Sequence, residues 1–211
     1  MKSEEQLVNG NCHMRNENSR YRGWCRSMLL KVVSGVLLLA VGSTPANAQR
    51  AQSSDDETSL TKVGEQMPNF SITDLSGTEI NIVDLKGKVV LVTFWATWCG
   101  PCLTEMPRLE KQIWRPFKSD QFVMIAIARE ESEQEISAFR KEFKYSFPMA
   151  ADPKRDVYKL FGSEGIPRSY VVGVDGKILF QSVGYDPSEF VQMKKLIEKE
   201  LKKLQAPKTS E

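Results

Sequence analysis

Histidine is almost missing from this chain: one residue, His13, in 211. Once the N-terminal segment is removed none remains, which excludes a Ser-His-Asp triad, a His-based metal site and a Cys-x-x-Cys-His haem attachment. Cysteine is scarce too, at four residues, too few for a fold built on disulfides. No unbroken apolar stretch reaches the ~20 residues that cross a bilayer. Nor is there an excess of one charge, since 29 Lys and Arg stand against 27 Asp and Glu. The 41% hydrophobic and 27% charged composition, with 13 Gly and 10 Pro, is that of one ordinary globular domain plus an appendage.

The appendage is N-terminal. The run VVSGVLLLAV, residues 32–41, follows Arg26 and Lys31 and leads to Ala46 and Ala48 in small-x-small spacing before Gln49. Charged flank, short apolar core and A-x-A-like site predict a secretory signal peptide over residues 1–48, cleaved after Ala48. An uncleaved membrane anchor is the alternative, but even from Met28 to Val41 the stretch is short for a bilayer and broken by Lys31. The charged lead-in is long, and Met28 by itself would open a compact signal, which makes Met28 an alternative start to Met1. Residues 1–48 hold six of the basic and three of the acidic residues, leaving 23 against 24. No basic stripe is left for nucleic acid or an anionic membrane. Cys12 and Cys25 leave with the segment, so Cys99 and Cys102 are the only cysteines of the remainder.

Residues 49–61 are polar and aperiodic, which predicts a flexible linker; structure is expected over 62–205, with a disordered tail at 206–211. Phe70–Thr73 and Thr78–Ile82 alternate around Ser76-Gly77 as a hairpin does. VVLVTFW, Val89–Trp95, has the pattern of a strand buried on both faces, and Phe122–Ala128 repeats it. Between them Leu103, Met106, Leu109 or Glu110, and Ile113 recur at helical spacing, with Pro107 expected to kink the helix. Glu133–Phe143 predicts a helix with Ile136, Phe139, Arg140 and Phe143 on one face, and Asp156–Phe161 a shorter one. Ser169–Val174 and Ile178–Val183 are strands joined through Asp175-Gly176. Ser188–Leu204 closes the chain as an amphipathic helix. The order implies an α/β domain with a mixed sheet.

The chemistry concentrates in Trp98-Cys99-Gly100-Pro101-Cys102. Gly100 lets the backbone turn and Pro101 suits a first helical turn. Cysteines at the end of a buried strand and the start of a helix meet free N–H groups and the positive end of the helix dipole. That stabilises a thiolate, the species that attacks disulfides. Cys99, nearer the helix start, is expected to be the nucleophile, and Cys102, one turn in, the resolving thiol. A structural staple is the bland reading, but a four-residue loop contributes only about 2 kcal/mol. A zinc site would need further ligands that the remainder lacks, and no cofactor or metal is expected.

TFWATWCGPC resembles the active-site stretch of the thioredoxin superfamily, and is most similar to its TlpA/ResA-like periplasmic thiol–disulfide oxidoreductases. The N-terminal hairpin, the lengthened middle at 120–155 and GIPRSYVVGVDGKI agree, over roughly residues 62–205 in all. The resemblance implies a thioredoxin-like fold and a cis peptide before Pro167, facing the cysteines. Ile166 and Pro167 are thereby candidate substrate-binding residues, with Trp98, Gly100 and Pro101. It also implies that Glu105, three residues after Cys102, moves protons to and from the thiols; a solvated surface glutamate is the alternative. Thr93 stands where thioredoxins carry a buried Asp, so proton handling must differ here. Trp95 is read as packing, and Arg168 as a solvated side chain, with steering of partners beside the loop as its alternative.

The function this pattern implies is that of a periplasmic or secreted reductase of client protein disulfides, supplied with electrons by a membrane donor of the DsbD or CcdA type. A disulfide-forming oxidase is the first alternative, although Gly-Pro between the cysteines resembles the reducing members. A peroxiredoxin-like thiol peroxidase is the second, but Ala96 occupies the place where that family has Thr. A non-enzymatic binding module is the third. Cytochrome c maturation, envelope biogenesis and general thiol rescue are all served by similar proteins, and the sequence does not choose among them.

Overall fold

A computed structural model of the chain describes residues 56–205. The expected signal peptide, the Met28 start and the tail lie outside the described residues. The first sheet is the hairpin of β1 (Ser71–Thr73) and β2 (Glu79–Asn81), paired antiparallel with Ile72 opposite Ile80. A short 3-10 turn, Ile82–Leu85, is capped by the Asn81 side chain and leads to the main sheet.

That sheet has five strands in the order β5-β4-β3-β6-β7: β3 (Val89–Trp95), β4 (Phe122–Arg129), β5 (Met149–Asp152), β6 (Arg168–Val172) and β7 (Ile178–Val183). β3, β4 and β5 run parallel, while β6 and β7 are antiparallel to their neighbours. The central β3 is buried at every position, and its period of two divides the core. Val89, Leu91 and Trp95 join Met106, Ile113, Phe139, Phe190 and Ile197 on one face. Val90, Val92 and Phe94 join Phe70, Ile82, Tyr158, Phe161 and Tyr170 on the other. A fully buried side chain of this size stabilises by about 1.5–3 kcal/mol, so both layers hold β3 in register.

The helices are α1 (Gly100–Arg108), α2 (Arg115–Phe117), α3 (Glu133–Phe143) and α4 (Pro187–Gln205). Pro107 does not end the helix: after α1 the chain passes through a π-helical stretch, Leu109–Trp114, into α2. The wider turns absorb the missing N–H of Pro107, and the Leu109 N–H is shared between the carbonyls of Glu105 and Met106. α3 begins with a reciprocal capping box between Ser132 and Glu135.

Four expectations need correction. Residues 58–61 are not free linker: Leu60 N–H donates to Phe161 O at 3.0 Å, Ser163 N–H to Thr58 O at 2.9 Å, and Thr61 is buried. Asp156–Phe161 holds only a 3-10 turn, Tyr158–Leu160. The Asp152 carboxylate takes the N–H groups of Asp156, Val157 and Tyr158, and so short a stretch cannot propagate an α-helix. Phe143 is half exposed and stacks on Phe139 from outside, with centroids 4.5 Å apart. β5 is a strand that the sequence does not predict, because its Met-Ala-Ala-Asp has little intrinsic strand preference.

Candidate active site

The carboxyl ends of β3, β4 and β5 face one edge of the sheet, where β6 enters, and ligands of open α/β sheets bind at such an edge. From β3 the chain turns through Ala96–Trp98 and begins α1 with Cys99 as its N-cap. Cys102 N–H donates to Cys99 Sγ at 3.2 Å, so the sulfur itself takes up an otherwise unpartnered amide at the positive end of the helix. Cys99 and Cys102 form a disulfide, with Cα atoms 5.2 Å apart. Cys99 retains 6% exposure and Cys102 none. The space over Gly100 is open, with no atom within 4 Å of where a Cβ would stand.

Opposite lies the Ile166–Pro167 peptide, which is cis. The carbonyl oxygen of Ile166 is 3.7 Å from Cys99 Sγ. In the disulfide that sulfur has no proton to offer, so the contact becomes a hydrogen bond only in the dithiol. Pro167 is buried, and Ile166 packs against both core layers. Tyr158 donates its hydroxyl to Gly165 O at 2.8 Å and steadies the loop from behind.

Glu105 is 5% exposed and lines a narrow cleft with Phe180, Tyr185, Phe190 and Met193. Burial pushes its carboxyl up to about 8, opposed by the charge of Arg108. Arg108 is bonded to the Tyr185 hydroxyl and lies 4.3 Å from the Phe190 ring centroid. This is not a solvated surface glutamate. Thr93, also buried, bonds hydroxyl to hydroxyl with Ser169 at 2.9 Å, so no ionisable group stands at that point beneath the cysteines.

Trp98 is 60% exposed beside Cys99. Its ring lies 5.6 Å from the Arg129 guanidinium, which also sits 4.8 Å from the Tyr158 ring. Trp95 is packing, as expected, tilted on Phe139 at 4.9 Å. Arg168 overturns its reading as a solvated side chain: it is fully buried. Arg129, Tyr158 and Glu131 carry no motif that marks them in the sequence. Glu131 is buried and accepts from the N–H of Thr97 at 3.0 Å on both oxygens, and from its hydroxyl. The usable signal is position, just past the end of the strand parallel to β3.

Among the described residues no cluster of three or more His, Cys, Asp and Glu could hold a metal ion. Residues 63–181 match the AhpC/TSA family. The thiol-disulfide oxidoreductase ResA of Bacillus cereus is 31% identical over 177 residues, covering 84% of this chain and 96% of that protein. The thioredoxin-like protein YneN of Bacillus subtilis is 35% identical over 161 residues, covering 74% and 92%. A crystal structure of a thiol:disulfide interchange protein from Chlorobium tepidum superposes with a TM-score of 0.56 at 26% identity, covering 67% of this chain and 98% of that one. With its paired cysteines, mixed sheet and extra hairpin, the chain belongs to the AhpC/TSA family of thioredoxin-like proteins, among the ResA-like thiol–disulfide oxidoreductases.

Proposed function

We propose that this protein reduces client disulfides by dithiol–disulfide exchange, with Cys99 as attacking sulfur and Cys102 as resolving sulfur. The observation that carries this reading is the Cys99–Cys102 disulfide at the start of α1, with the more exposed sulfur serving as N-cap. In the reduced form the Cys99 thiolate attacks a client disulfide, forming a mixed disulfide and releasing one client thiolate, which takes up a proton. Cys102 then loses its proton and attacks Cys99. The second client thiolate leaves, and the two electrons of the dithiol have passed to the client. Each turn needs a proton delivered and a proton removed. Glu105, one turn from Cys102 with a pKa near 8, has the protonation range for that exchange near neutral pH.

Trp98, Gly100, Pro101, Ile166 and Pro167 are proposed to bind the client. The exposed ring offers apolar surface, and the cis-proline loop offers backbone beside the disulfide. Gly-Pro between the cysteines supports the reducing direction. Peroxide chemistry is disfavoured by the buried Ala96 three residues before Cys99. The proposal extends to secretion through residues 1–48, a linker ahead of the thioredoxin-like domain and re-reduction by a membrane donor of the DsbD or CcdA type. It rests there on the charged and apolar pattern of the N-terminus and on the likeness to ResA. No helix among the described residues is long and apolar enough to cross a membrane.

The decisive experiment is a Cys102→Ser trap in the full chain. Mixed disulfides with client proteins are expected on Cys99 and should vanish in a Cys99→Ser/Cys102→Ser chain. Absence of any adduct, together with no acceleration of insulin reduction by dithiothreitol, would refute the exchange reading. A strongly oxidising reduction potential, measured against glutathione, would reverse its direction.

A further inference from the structure

Arg168 directly follows the cis Ile166–Pro167 peptide and is fully buried. Burying a guanidinium is costly unless its donors are taken up; here Nε is left without a hydrogen-bond partner, while both terminal nitrogens tie two distant segments together. Nη1 donates to Ser59 Oγ at 2.7 Å, and more weakly to the Tyr170 hydroxyl at 3.4 Å. Nη2 donates to Thr58 Oγ1 at 2.6 Å and to Glu164 O at 2.7 Å. Thr58 in turn donates its N–H to Asp56 Oδ1 at 2.7 Å and its hydroxyl to the same carboxylate. The cationic side chain is thereby linked to an anion through one hydroxyl. Residues 58–60 also run along 161–163, bridging at Ser59 and Gly162.

We propose that Arg168 is a positioning residue for the client-binding loop, and that Thr58 and Ser59, which hold its guanidinium, are positioning residues acting through it. The inference rests on the proposed role of Ile166 and Pro167 in binding. Three contacts hold the loop: the Tyr158 hydroxyl on Gly165 O, the Gly184 N–H on Pro167 O at 2.8 Å, and the Arg168 fork on Glu164 O and the N-terminal segment. None of the three is bonded to a sulfur. Their loss should therefore disturb pairing with an extended polypeptide while leaving the thiol chemistry as it was.

The test uses the full chain, with insulin as a polypeptide disulfide and 5,5′-dithiobis(2-nitrobenzoate) as a small one. In the Thr58→Val/Ser59→Ala chain the KM for insulin is expected to rise about fivefold with kcat unchanged. Reaction with the small disulfide and the pH profile of Cys99 alkylation should stay as in the wild type. Arg168→Met should act in the same sense and more strongly; if it does not fold, the double variant decides, since Thr58 and Ser59 are only partly buried. An unchanged insulin KM in a folded double variant would overturn the proposal, as would an equal loss towards both disulfides. A wild-type chain inert towards both would instead refute the exchange reading on which the proposal stands.

Discussion

Glu131 closes its carboxylate on the N–H of Thr97, 34 residues earlier in the chain and two before Cys99. The amide sits in the turn between β3 and α1, where neither a strand nor a helix supplies it with an acceptor. Glu131→Ala would leave that donor without its partner, at a cost of about 1–3 kcal/mol. For a domain of this size a melting temperature lower by about 3–9 °C is expected. The rate of Cys99 alkylation at fixed pH should change as well, because the turn that presents the sulfur loosens. Calorimetry and iodoacetamide kinetics on the reduced chain check both; an unaltered melting temperature would show that the bond contributes nothing.

Glu105 is expected to make the stability of the protein depend on pH. Burial raises its pKa from 4.5 to about 8, so between those values the folded chain holds a proton that the unfolded chain has released. The stability contribution of this site is greatest below pH 4.5, falls as pH rises through the interval and reaches its minimum above 8. Glu105→Gln, uncharged at every pH, is expected to flatten that slope and to be more stable than the wild type at pH 9. Its insulin-reduction rate at pH 7 should drop about a hundredfold. Urea unfolding at pH 5, 7 and 9 tests the first part, and turnover tests the second.

Gly162 lies where a Cβ would stand 2.6 Å from the Arg168 guanidinium carbon. The arginine is fixed by its hydrogen bonds and cannot swing aside without breaking them. Gly162→Ala should therefore destabilise the fold by about 1–3 kcal/mol, the cost of overpacking. A lower urea midpoint at constant m-value is the expected signature.

Trp98 offers the opposite case. Its ring is largely exposed, so Trp98→Ala should change stability by no more than about 0.5–1 kcal/mol, the worth of its contact with Arg129. The KM for insulin should rise while the rate with a small disulfide holds. A loss of stability well beyond that range would mean that the ring serves packing rather than client contact.

Local pattern was enough for the strands Val89–Trp95 and Phe122–Ala128, for α3 and α4, and for the redox pair. Each rests on local periodicity or on a four-residue spacing, which needs no knowledge of distant neighbours. Pro107 was legible as an irregularity but not as a π-helical passage, because the form it takes depends on what the next turns pack against.

The fate of the charged side chains rested on three-dimensional packing. Arg168 reads in the sequence as an ordinary solvated residue, Glu105 is marked there only by the family resemblance, and Glu131 lies in a run of acids ahead of a helix cap. Whether each is buried depends on partners 34 to 110 positions away or on the cleft formed by β7 and α4 over α1. The free energy of a charge is set by its surroundings and not by its neighbours along the chain. The burial of Glu105 and the tie between Arg168 and residues 58–59 therefore became visible only once those surroundings were assembled.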